Sequence, residues 1–306
     1  MNSIVVENIE KRYGTKKNIV TALKNISFET KQAELFGIIG PDGAGKTSLF
    51  RILTTLILAD KGNASVDGLD VVKDFKKIRR RVGYMPGKFS LYQDLSVEEN
   101  LSFFATIFNT TIEENYELIK DIYVQIEPFK KRRAGKLSGG MKQKLALSCA
   151  LIHKPSILFL DEPTTGVDAV SRKEFWEMLR KLKMQGITIL VSTPYMDEAS
   201  LCDRVALMQN GNILTINTPQ GISKDFGKTL WAIYHEKMYA LLQMLEKNKA
   251  VETCRAFGSY VHVTMNDDKI KKENIEQILL QNGFENNEVK KIDANIEDCF
   301  MRLMKH

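Results

Sequence analysis

The segment from Gly40 to Thr47 constrains the fold of this chain more than any other feature. It reads Gly-Pro-Asp-Gly-Ala-Gly-Lys-Thr and fits the pattern G-x-x-x-x-G-K-[ST]. Glycines allow the backbone N–H groups of such a loop to point at a phosphate, and the helix expected to begin near Gly45 adds its positive end. The apolar run Leu35–Ile39 just before it indicates a buried strand. The sequence therefore predicts a phosphate-binding loop between a strand and a helix.

The residues of this loop have expected roles in binding a nucleoside triphosphate. Lys46 would reach the β- and γ-phosphates of ATP, and Thr47 would bind Mg²⁺. A tight strand–helix turn without a ligand is the alternative, but the strand before the loop and the helix after it favour nucleotide binding. The expected ATP-binding set of the loop is Gly40, Pro41, Asp42, Gly43, Ala44, Gly45, Lys46, Thr47 and Ser48.

A second group of functional residues is expected where another apolar run ends. Ile157 to Leu160 is followed by Asp161 and Glu162. An aspartate that closes a buried strand beside a phosphate-binding loop lies where Mg²⁺ needs an anionic ligand. Glu162 is then a candidate general base that orients or activates water. Alone, such a run would be a plain strand end; together with the loop it predicts an ATPase site.

Strand and helix patterns alternate over the first two thirds of the chain. Besides Leu35–Ile39, the runs Ile157 to Leu160 and Ile187 to Val191 are rich in leucine and β-branched residues, which indicates buried parallel strands. Strands that alternate with helices predict an α/β fold, and the phosphate-binding loop makes it a P-loop NTPase. The apolar stripe expected on the first helix consists of Leu49, Ile52, Leu53 and Leu56.

The pattern also predicts a domain boundary and an insertion. Residues from about 94 to 136 are richer in helical pattern, so we expect a helical insertion within a first domain of residues 1–218. Its predicted helices run over Asn100 to Phe108 and Tyr116 to Ile126.

Residues 219–306 predict a second, small α+β domain. A strand at Leu230–Tyr234 precedes a helix with one apolar face, and two alternating strands flank a turn at Gly258–Ser259. A further helix is expected to end with Gly283 at its C′ position. Asn295 is the expected N-cap of the last helix.

Composition excludes several classes of protein. The chain has 306 residues, of which 43% are hydrophobic and 27% charged, so a disordered or fibrous chain is not expected. No apolar run approaches the ~20 residues that span a bilayer, and the N-terminal stretch lacks a signal peptide pattern, which predicts a cytoplasmic protein. The four cysteines are too scattered for a metal pair or a disulfide framework, so we expect free, buried thiols.

The net charge of +6 would suit an anionic membrane surface or nucleic acid. Two basic clusters contribute to it, one at 76–81 and one at 130–133. Neither cluster interleaves with aromatic side chains as a single-strand-binding surface would. We therefore interpret both as solvated helix ends and expect no nucleic-acid partner.

A third motif, Leu-Ser-Gly-Gly, lies at 137–140 before a stretch, Lys142 to Leu151, that is expected to form an amphipathic helix. Ser138 could be a simple N-cap, or Ser138, Gly139 and Gly140 could form a second anion site. Between a phosphate-binding loop and an Asp-Glu strand, this motif resembles the signature of ABC ATPases over residues 2–218. The resemblance implies that two subunits face each other head to tail, with each signature capping the ATP held by the other.

Further residues carry the same resemblance. Tyr13 resembles the aromatic residue that stacks on adenine, and Asp168 sits where the family has an interface aspartate. The stretch Tyr195 to Ala199 and, more weakly, the C-terminal domain are similar to ATPases that serve drug and polysaccharide exporters. The resemblance implies membrane permease subunits and a second ABC ATPase subunit as partners, on the cytoplasmic face of the membrane.

Two positions depart from the family pattern. Gly87 stands where the family has a glutamine that contacts Mg²⁺ or the attacking water, and Pro194 stands where it has a histidine near the γ-phosphate. An ATPase that drives export and a low-activity nucleotide-binding switch paired with a more active subunit both fit these changes. A third class, ABC proteins that act on DNA, RNA or the ribosome, usually needs coiled-coil insertions, zinc-binding cysteines or two cassettes in one chain, and the sequence offers none of them.

Overall fold

A computed structural model describes residues 2–15 and 18–304 of the chain, which divides into two compact units, Met1–Pro219 and Gln220–His306. No helix in these described ranges is long and apolar enough to cross a membrane. The strands are β1 Asn2–Thr15, β2 Asn18–Lys31, β3 Leu35–Ile39, β4 Lys61–Val66, β5 Leu69–Asp70, β6 Val82–Met85, β7 Ile157–Asp161, β8 Thr188–Thr193, β9 Arg204–Gln209, β10 Asn212–Asn217, β11 Leu230–Tyr234, β12 Val251–Phe257, β13 Tyr260–Met265 and β14 Glu288–Ile292.

The first α-helix begins at Lys46, within the phosphate-binding motif, and the last one ends at Leu303. The α-helices are α1 Lys46–Leu53, α2 Phe75–Arg81, α3 Val97–Ile107, α4 Tyr116–Tyr123, α5 Gly139–Leu151, α6 Ala169–Met184, α7 Pro219–Lys224, α8 Met238–Lys247, α9 Lys272–Gln281 and α10 Ile296–Leu303. Short 3-10 helices occupy Glu113–Asn115, Glu127–Phe129, Ala134–Lys136 and Asp197–Leu201.

The first unit is built around a six-stranded sheet in the order β10-β9-β3-β8-β7-β6. All neighbouring strands run parallel except β9 and β10. The predicted α/β fold is therefore confirmed. Because β3, β6, β7 and β8 are parallel, their carboxyl ends lie at one edge of the sheet, where ligands bind in such folds.

A second sheet of the first unit, in the order β2-β1-β4-β5, is antiparallel and was not predicted. Strands β1 and β2 are 14 residues long, but several register shifts interrupt their pairing. Those shifts break the alternation of buried and exposed residues by which a strand is recognised in sequence. Ile4, Val6 and Ile9 of β1 nevertheless join the same apolar core as Phe50 of α1 and Phe159 of β7.

Several predicted bounds need correction. Helix α1 ends at Leu53, so Leu56 lies outside it and is 53% exposed, while Phe50 completes the buried face. Helix α4 ends at Tyr123 rather than Ile126. Strand β7 includes Asp161, and β8 is shifted from the predicted 187–191 to Thr188–Thr193.

Helix α5 is not amphipathic, contrary to the prediction. Its second half is buried on every side, at Leu145, Leu147, Ser148, Cys149, Ala150 and Leu151. It packs against α3 and α4 of the predicted helical segment and against β6. A helix enclosed by neighbours on all sides carries no polar face, so no stripe forms.

After α7, the second unit has the order β11-α8-β12-β13-α9-β14-α10, and its sheet runs β12-β13-β11-β14 with all pairs antiparallel. This βαββαβ arrangement is the ferredoxin-like one. Helices α8 and α9 bury Leu241 and Leu279 against Val261 and Val263 of β13. Gly283, with φ of 81°, follows α9 as expected, and an Asn295–Asp298 capping box starts α10. That this α+β unit folds by itself remains a prediction.

Candidate functional site

The phosphate-binding motif forms the connection between β3 and α1. The N–H of Gly40 donates to the carbonyl of Thr193, 3.3 Å away, and thus ties the loop to the end of β8. A Cβ on Gly40 would lie 2.0 Å from the carbonyl oxygen of Met208. Gly45 has φ of 105°, and a Cβ there would lie 2.3 Å from the carbonyl oxygen of Ala22. Only glycine fits at these two positions. The packing of the surrounding backbone therefore requires both glycines, in addition to their expected part in phosphate binding.

The other loop positions differ in how accessible they are. Ala44 and Lys46 are buried, Pro41, Thr47 and Ser48 are half-buried, and Asp42 and Gly43 are exposed. A ligand can therefore approach the loop from the side of Asp42 and Gly43.

Lys46 buries its ammonium at the centre of this edge. Its Nζ donates to the carbonyls of Gly40 (2.8 Å) and Pro41 (3.0 Å) and forms an ion pair with Oε1 of Glu162 at 3.0 Å. An ammonium has three N–H donors, so each has an acceptor here. A buried charge needs such partners, because an unpaired one costs several kcal/mol or more. The structure thus brings the predicted lysine and the predicted general base into direct contact.

Asp161 ends β7 and is only 1% exposed. The hydroxyl of Ser192, its paired residue on β8, donates to Oδ1 of Asp161 at 2.6 Å. Burial, and then the negative charge of Asp161, raise the pKa of Tyr84 on neighbouring β6 to about 12. The carboxylate of Asp161 is therefore fixed at the sheet edge, and Tyr84 stays protonated near neutral pH.

Glu162 is the first residue beyond β7. Its N–H donates to both the carbonyl and the hydroxyl of Ser192, each at 3.0 Å. Its φ of 52° lies in the left-handed region, which costs a non-glycine residue roughly 1–2 kcal/mol. Such strain, held in place by surrounding contacts, is typical of functional positions.

Ser192 and Glu198 also build this edge, although sequence reasoning gave neither a role. Glu198 is 2% exposed, and its Oε2 accepts from the hydroxyls of Thr193 (2.6 Å) and Thr164 (3.1 Å). It thereby links the end of β8 to the segment after Glu162. A serine inside the buried run of β8 was a usable signal, because a polar residue there needs a partner on the next strand. Glu198 gave no such signal, since the 3-10 helix that carries it has no apolar period.

Tyr13, the predicted adenine-stacking residue, lies at the far end of the loop. Its hydroxyl is 3.2 Å from Oγ of Ser48, and the residue is 40% exposed. The ammonium of Lys11 lies 5.6 Å from the ring centroid. One face of an accessible aromatic ring next to the phosphate-binding loop could take a base, and this role stays a prediction.

Both departures from the family pattern lie at the same edge. A Cβ on Gly87 would be 3.0 Å from the carbonyl oxygen of Asp161 and 3.8 Å from Cβ of Glu162. Pro194 directly follows Thr193, whose carbonyl binds Gly40. Glycine and proline have no side-chain donor, so neither position can add a side-chain hydrogen bond to a ligand held between the loop and Glu162.

The signature segment begins α5. Oγ of Ser138 caps the helix by accepting from the N–H of Met141 at 3.3 Å. The atom nearest to a Cβ on Gly139 belongs to Gly166, and the nearest to one on Gly140 belongs to Ser171. These contacts are therefore with the segment after Glu162, not with the phosphate-binding loop. The second role of the segment, as an anion site, stays a prediction.

Asp168 caps helix α6 close to the signature. Its Oδ1 accepts from the N–H groups of Val170 (3.1 Å) and Ser171 (3.0 Å). The hydrogen bond from the Ser171 backbone is the main reason why the pKa of Asp168 is lowered. Asp168 thus has a structural task within the chain, which leaves its predicted interface role untested.

The residues present fit a hydrated magnesium ion better than a closed metal site. Among residues 2–15 and 18–304, no three His, Cys, Asp or Glu side chains cluster as metal ligands. Mg²⁺ keeps several waters and commonly takes one or two protein oxygens plus substrate phosphates, for which Asp161 and Thr47 would suffice. Cys149, Cys202 and Cys299 are free and buried, as predicted, whereas Cys254 is half-buried.

Comparison with known proteins agrees with this geometry. Residues 23–165 match the family described as ABC transporter. The chain is 37% identical over 306 residues to the probable multidrug ABC transporter ATP-binding protein YbhF of Escherichia coli (strain K12). The matched region covers 98% of this chain but 52% of YbhF. The chain thus spans about half the length of that relative. It is also 37% identical over 231 residues to the Nod factor export ATP-binding protein I of Burkholderia lata, covering 74% of this chain and 75% of that protein.

A solved structure shows the same fold. The dimeric post-hydrolysis structure of the ATP-binding cassette MJ0796, bound to ADP and Pi, matches with a TM-score of 0.65 and 26% identity, covering 70% of this chain and 98% of that one. The predicted P-loop NTPase fold of ABC ATPase type is thereby confirmed. The sheet order, the loop around Lys46 and these relatives agree: the chain belongs to the ATP-binding proteins of ABC transporters.

Proposed function

We propose that this chain binds Mg·ATP and hydrolyses it as the ATPase subunit of an ABC exporter. The observation that carries the proposal is the buried contact between Lys46 and Glu162 beside Asp161. A cationic phosphate ligand, a carboxylate for the metal and a carboxylate for water meet at one sheet edge. These three groups are what phosphoryl transfer to water requires.

The contacts suggest how the residues act in order. A γ-phosphate in the loop would replace the Glu162 carboxylate as a partner of the Lys46 ammonium. Glu162 would then be released to hold the attacking water and to accept its proton. Asp161, fixed by Ser192, would hold the metal together with Thr47. When bound, Mg²⁺ neutralises charge on the β- and γ-phosphate oxygens.

A second ATPase subunit is part of the proposal. Ser138, Gly139 and Gly140 pack near Gly166 and Ser171, so their N–H groups are not committed to this chain's own phosphate-binding loop. A helix N-terminus with free N–H groups attracts a phosphate. We infer that it faces the ATP of a partner, in a head-to-tail dimer of two cassettes. The structure of MJ0796 is itself described as dimeric.

Permease subunits are the proposed membrane partner. The first unit contains a groove of about 280 Å³ between the end of β6 and the helical segment, lined by Leu56, Met85, Phe104 and Phe108 among others. The groove reaches Pro86, next to Gly87, so a segment seated there would sense the nucleotide edge. An apolar groove of this kind suits a short amphipathic helix of a partner. The chain would then sit peripherally on the cytoplasmic face of the membrane.

A slow switch subunit is the second candidate function. Gly87 and Pro194 remove two side-chain contacts to a reacting phosphate, and losing one preorganised donor typically costs about 10²–10³ in rate. Binding would suffer less, because the loop supplies most phosphate contacts. In this version the chain holds ATP while its Ser138–Gly140 segment completes the site of a faster partner subunit.

Turnover measurements test both candidates. The chain is purified alone and together with any second cassette and permease encoded beside it, and phosphate release is measured. Rapid turnover alone that Pro194→His does not increase supports the exporter ATPase that works as a homodimer. Slow turnover that a partner rescues, and that Ser138→Arg in this chain then abolishes, supports the switch subunit. If no ATP-dependent phosphate release occurs in any combination, both candidates fail.

A further inference from the structure

The second unit contains a cavity that the nucleotide site does not use. Residues on β13 alternate, so Val261 and Val263 enter the core under α8 and α9, while His262 and Thr264 line the cavity on the other face of the sheet. Helix α10 forms the opposite wall with Met301. The volume is about 280 Å³, close to the lower end of the roughly 300–1,000 Å³ typical of small-molecule sites.

Arg255 of β12 is one of the residues that line this cavity, and its guanidinium is only partly hydrogen-bonded. Its Nη2 donates to the carbonyl of Met301 at 3.4 Å, but its buried Nη1 has no hydrogen-bond partner. Among the residues that the structure describes, no carboxylate forms an ion pair with Arg255. Buried donors of charged groups are costly to leave unpaired, and a ligand bound in the cavity would supply the acceptors that Arg255 lacks. A planar guanidinium fork matches the two oxygens of a carboxylate.

The acidic side chains around the cavity do not serve as partners for Arg255. Asp298 accepts from Nδ1 of His262 at 2.8 Å and from the N–H of Asn295 at 3.0 Å. Glu252 pairs with Lys228 at 2.6 Å, and this hydrogen bond lowers the pKa of Glu252. Glu297 also lines the cavity, but it is exposed to water.

Thr253 and Arg302 also line the cavity, and Arg302 donates to the carbonyl of Phe226. The rest of the lining is largely apolar and argues for a ligand with a hydrocarbon part. Phe226, Leu230 and Met301 line the cavity, and Phe257 lies at its accessible side with an exposure of 38%. The Phe257 ring stacks on His262 with centroids 4.5 Å apart, so its position is fixed. An inorganic anion would use the guanidinium and leave these walls in contact with water. We propose that this cavity binds a small organic acid, with its carboxylate on Arg255 and its apolar body against Phe226, Leu230 and Met301.

Calorimetric titration of the full chain tests the proposal. The probes are hexanoate and benzoate, with hexanamide and benzamide as neutral matches and inorganic phosphate as an anion without an apolar body. Saturating Mg·ADP keeps the Gly40–Ser48 loop occupied, so that the probes cannot bind there. The titrations are repeated with the Lys46→Ala chain. The same carboxylate affinities in that chain would show that the result does not depend on nucleotide binding. We expect at least one carboxylate to bind with a Kd of about 1 mM or tighter.

Variants of Arg255 locate the binding. Arg255→Gln should weaken the carboxylate about 10–100-fold, the range for one charge-assisted hydrogen bond to a charged group. Arg255→Lys keeps the charge but loses the fork and should weaken it less. The exposed Lys269→Gln, in the same unit, should leave the affinity unchanged. Thermal unfolding verifies that each variant is folded. If Arg255→Gln does not fold, the carboxylate affinity of Arg255→Lys tests the proposal instead.

Three results would overturn the proposal. The first is that neither carboxylate binds saturably up to about 20 mM, far above the expected Kd. The second is that the amides or phosphate bind as well as the carboxylates, since the site would then recognise no organic acid. The third is that the folded Arg255 variants bind carboxylate with unchanged affinity.

Discussion

The two units of this chain arrange their polar groups in different ways. In the first unit, Lys46, Asp161 and Glu162 lie where parallel strands end, at one edge of the sheet. In the second unit, Arg255 and His262 lie on one face of an antiparallel sheet. A strand end is followed by a loop, so each part of an edge site is a short contiguous motif. A face site takes alternate residues from several strands, so no motif marks it in the sequence.

The largest expected effect concerns the edge of the first unit. Lys46→Ala should abolish tight ATP binding, because it removes a buried charge that we expect to contact phosphate, at a cost of roughly 2–5 kcal/mol. Lys73→Ala, at an exposed lysine, should leave the affinity unchanged. Titration with a fluorescent ATP analogue measures both. An unchanged affinity in Lys46→Ala would show that the Gly40–Ser48 loop does not hold the nucleotide.

A buried hydroxyl at the same edge should have the next largest effect. Ser192→Ala removes the donor to Asp161 and one acceptor of the Glu162 N–H, and a hydrogen bond to a charged group is worth about 1.5–3 kcal/mol. Ser148→Ala is the matched control, because the buried hydroxyl of Ser148 donates to the carbonyl of Lys144 in the same helix. Chemical denaturation of both variants measures the difference. Equal losses would mean that Ser192 has no special part in holding the carboxylates.

A helix cap in the second unit should have a smaller effect, confined to that unit. Asn295→Ala breaks the capping box of α10 and should cost about 1 kcal/mol. Hydrogen exchange of the β11–β14 amides should speed up, while ATP affinity stays the same. Asn282→Ala, at the exposed end of α9, is the control and should change exchange much less. A loss of ATP affinity in Asn295→Ala would contradict the separation of the two units.

Truncation should have the smallest effect on nucleotide binding. A chain that stops near Gly221 lacks the second unit but keeps every residue of the edge site. Its ATP affinity should therefore stay within about twofold of that of the full chain, a difference in binding free energy of less than ~0.5 kcal/mol. Equilibrium titration of the two chains measures this. A truncated chain that is unfolded or cannot bind ATP would show that residues 219–306 belong to the first domain.

The same contrast explains which parts could be predicted from sequence. The strands β3 and β7 and the residues at their ends were predicted because a buried run, a glycine-rich loop and an acidic pair are contiguous. The β1–β2 hairpin was not, since bulges interrupt its alternation. Leu56 was assigned to α1 because periodicity alone does not mark where a helix ends, and the apolar spacing continues beyond Leu53. Ser192 could have been noticed as a polar residue inside the buried run of β8, whereas Glu198 acts through contacts between distant segments, which spacing cannot reveal.

The contact between Lys46 and Glu162 also matters before any nucleotide arrives. A newly synthesised subunit must fold around an ammonium that is buried against two carbonyls, and Glu162 supplies the countercharge from within the chain. Without this countercharge, the segment around the empty site would open locally more often, and proteases cleave such locally opened segments. We therefore expect Glu162→Gln to shorten the lifetime of the nucleotide-free chain under proteolysis, and added ATP to restore it. If Glu162 is also the proposed general base, the same carboxylate would stabilise the empty site and act on water once ATP is bound.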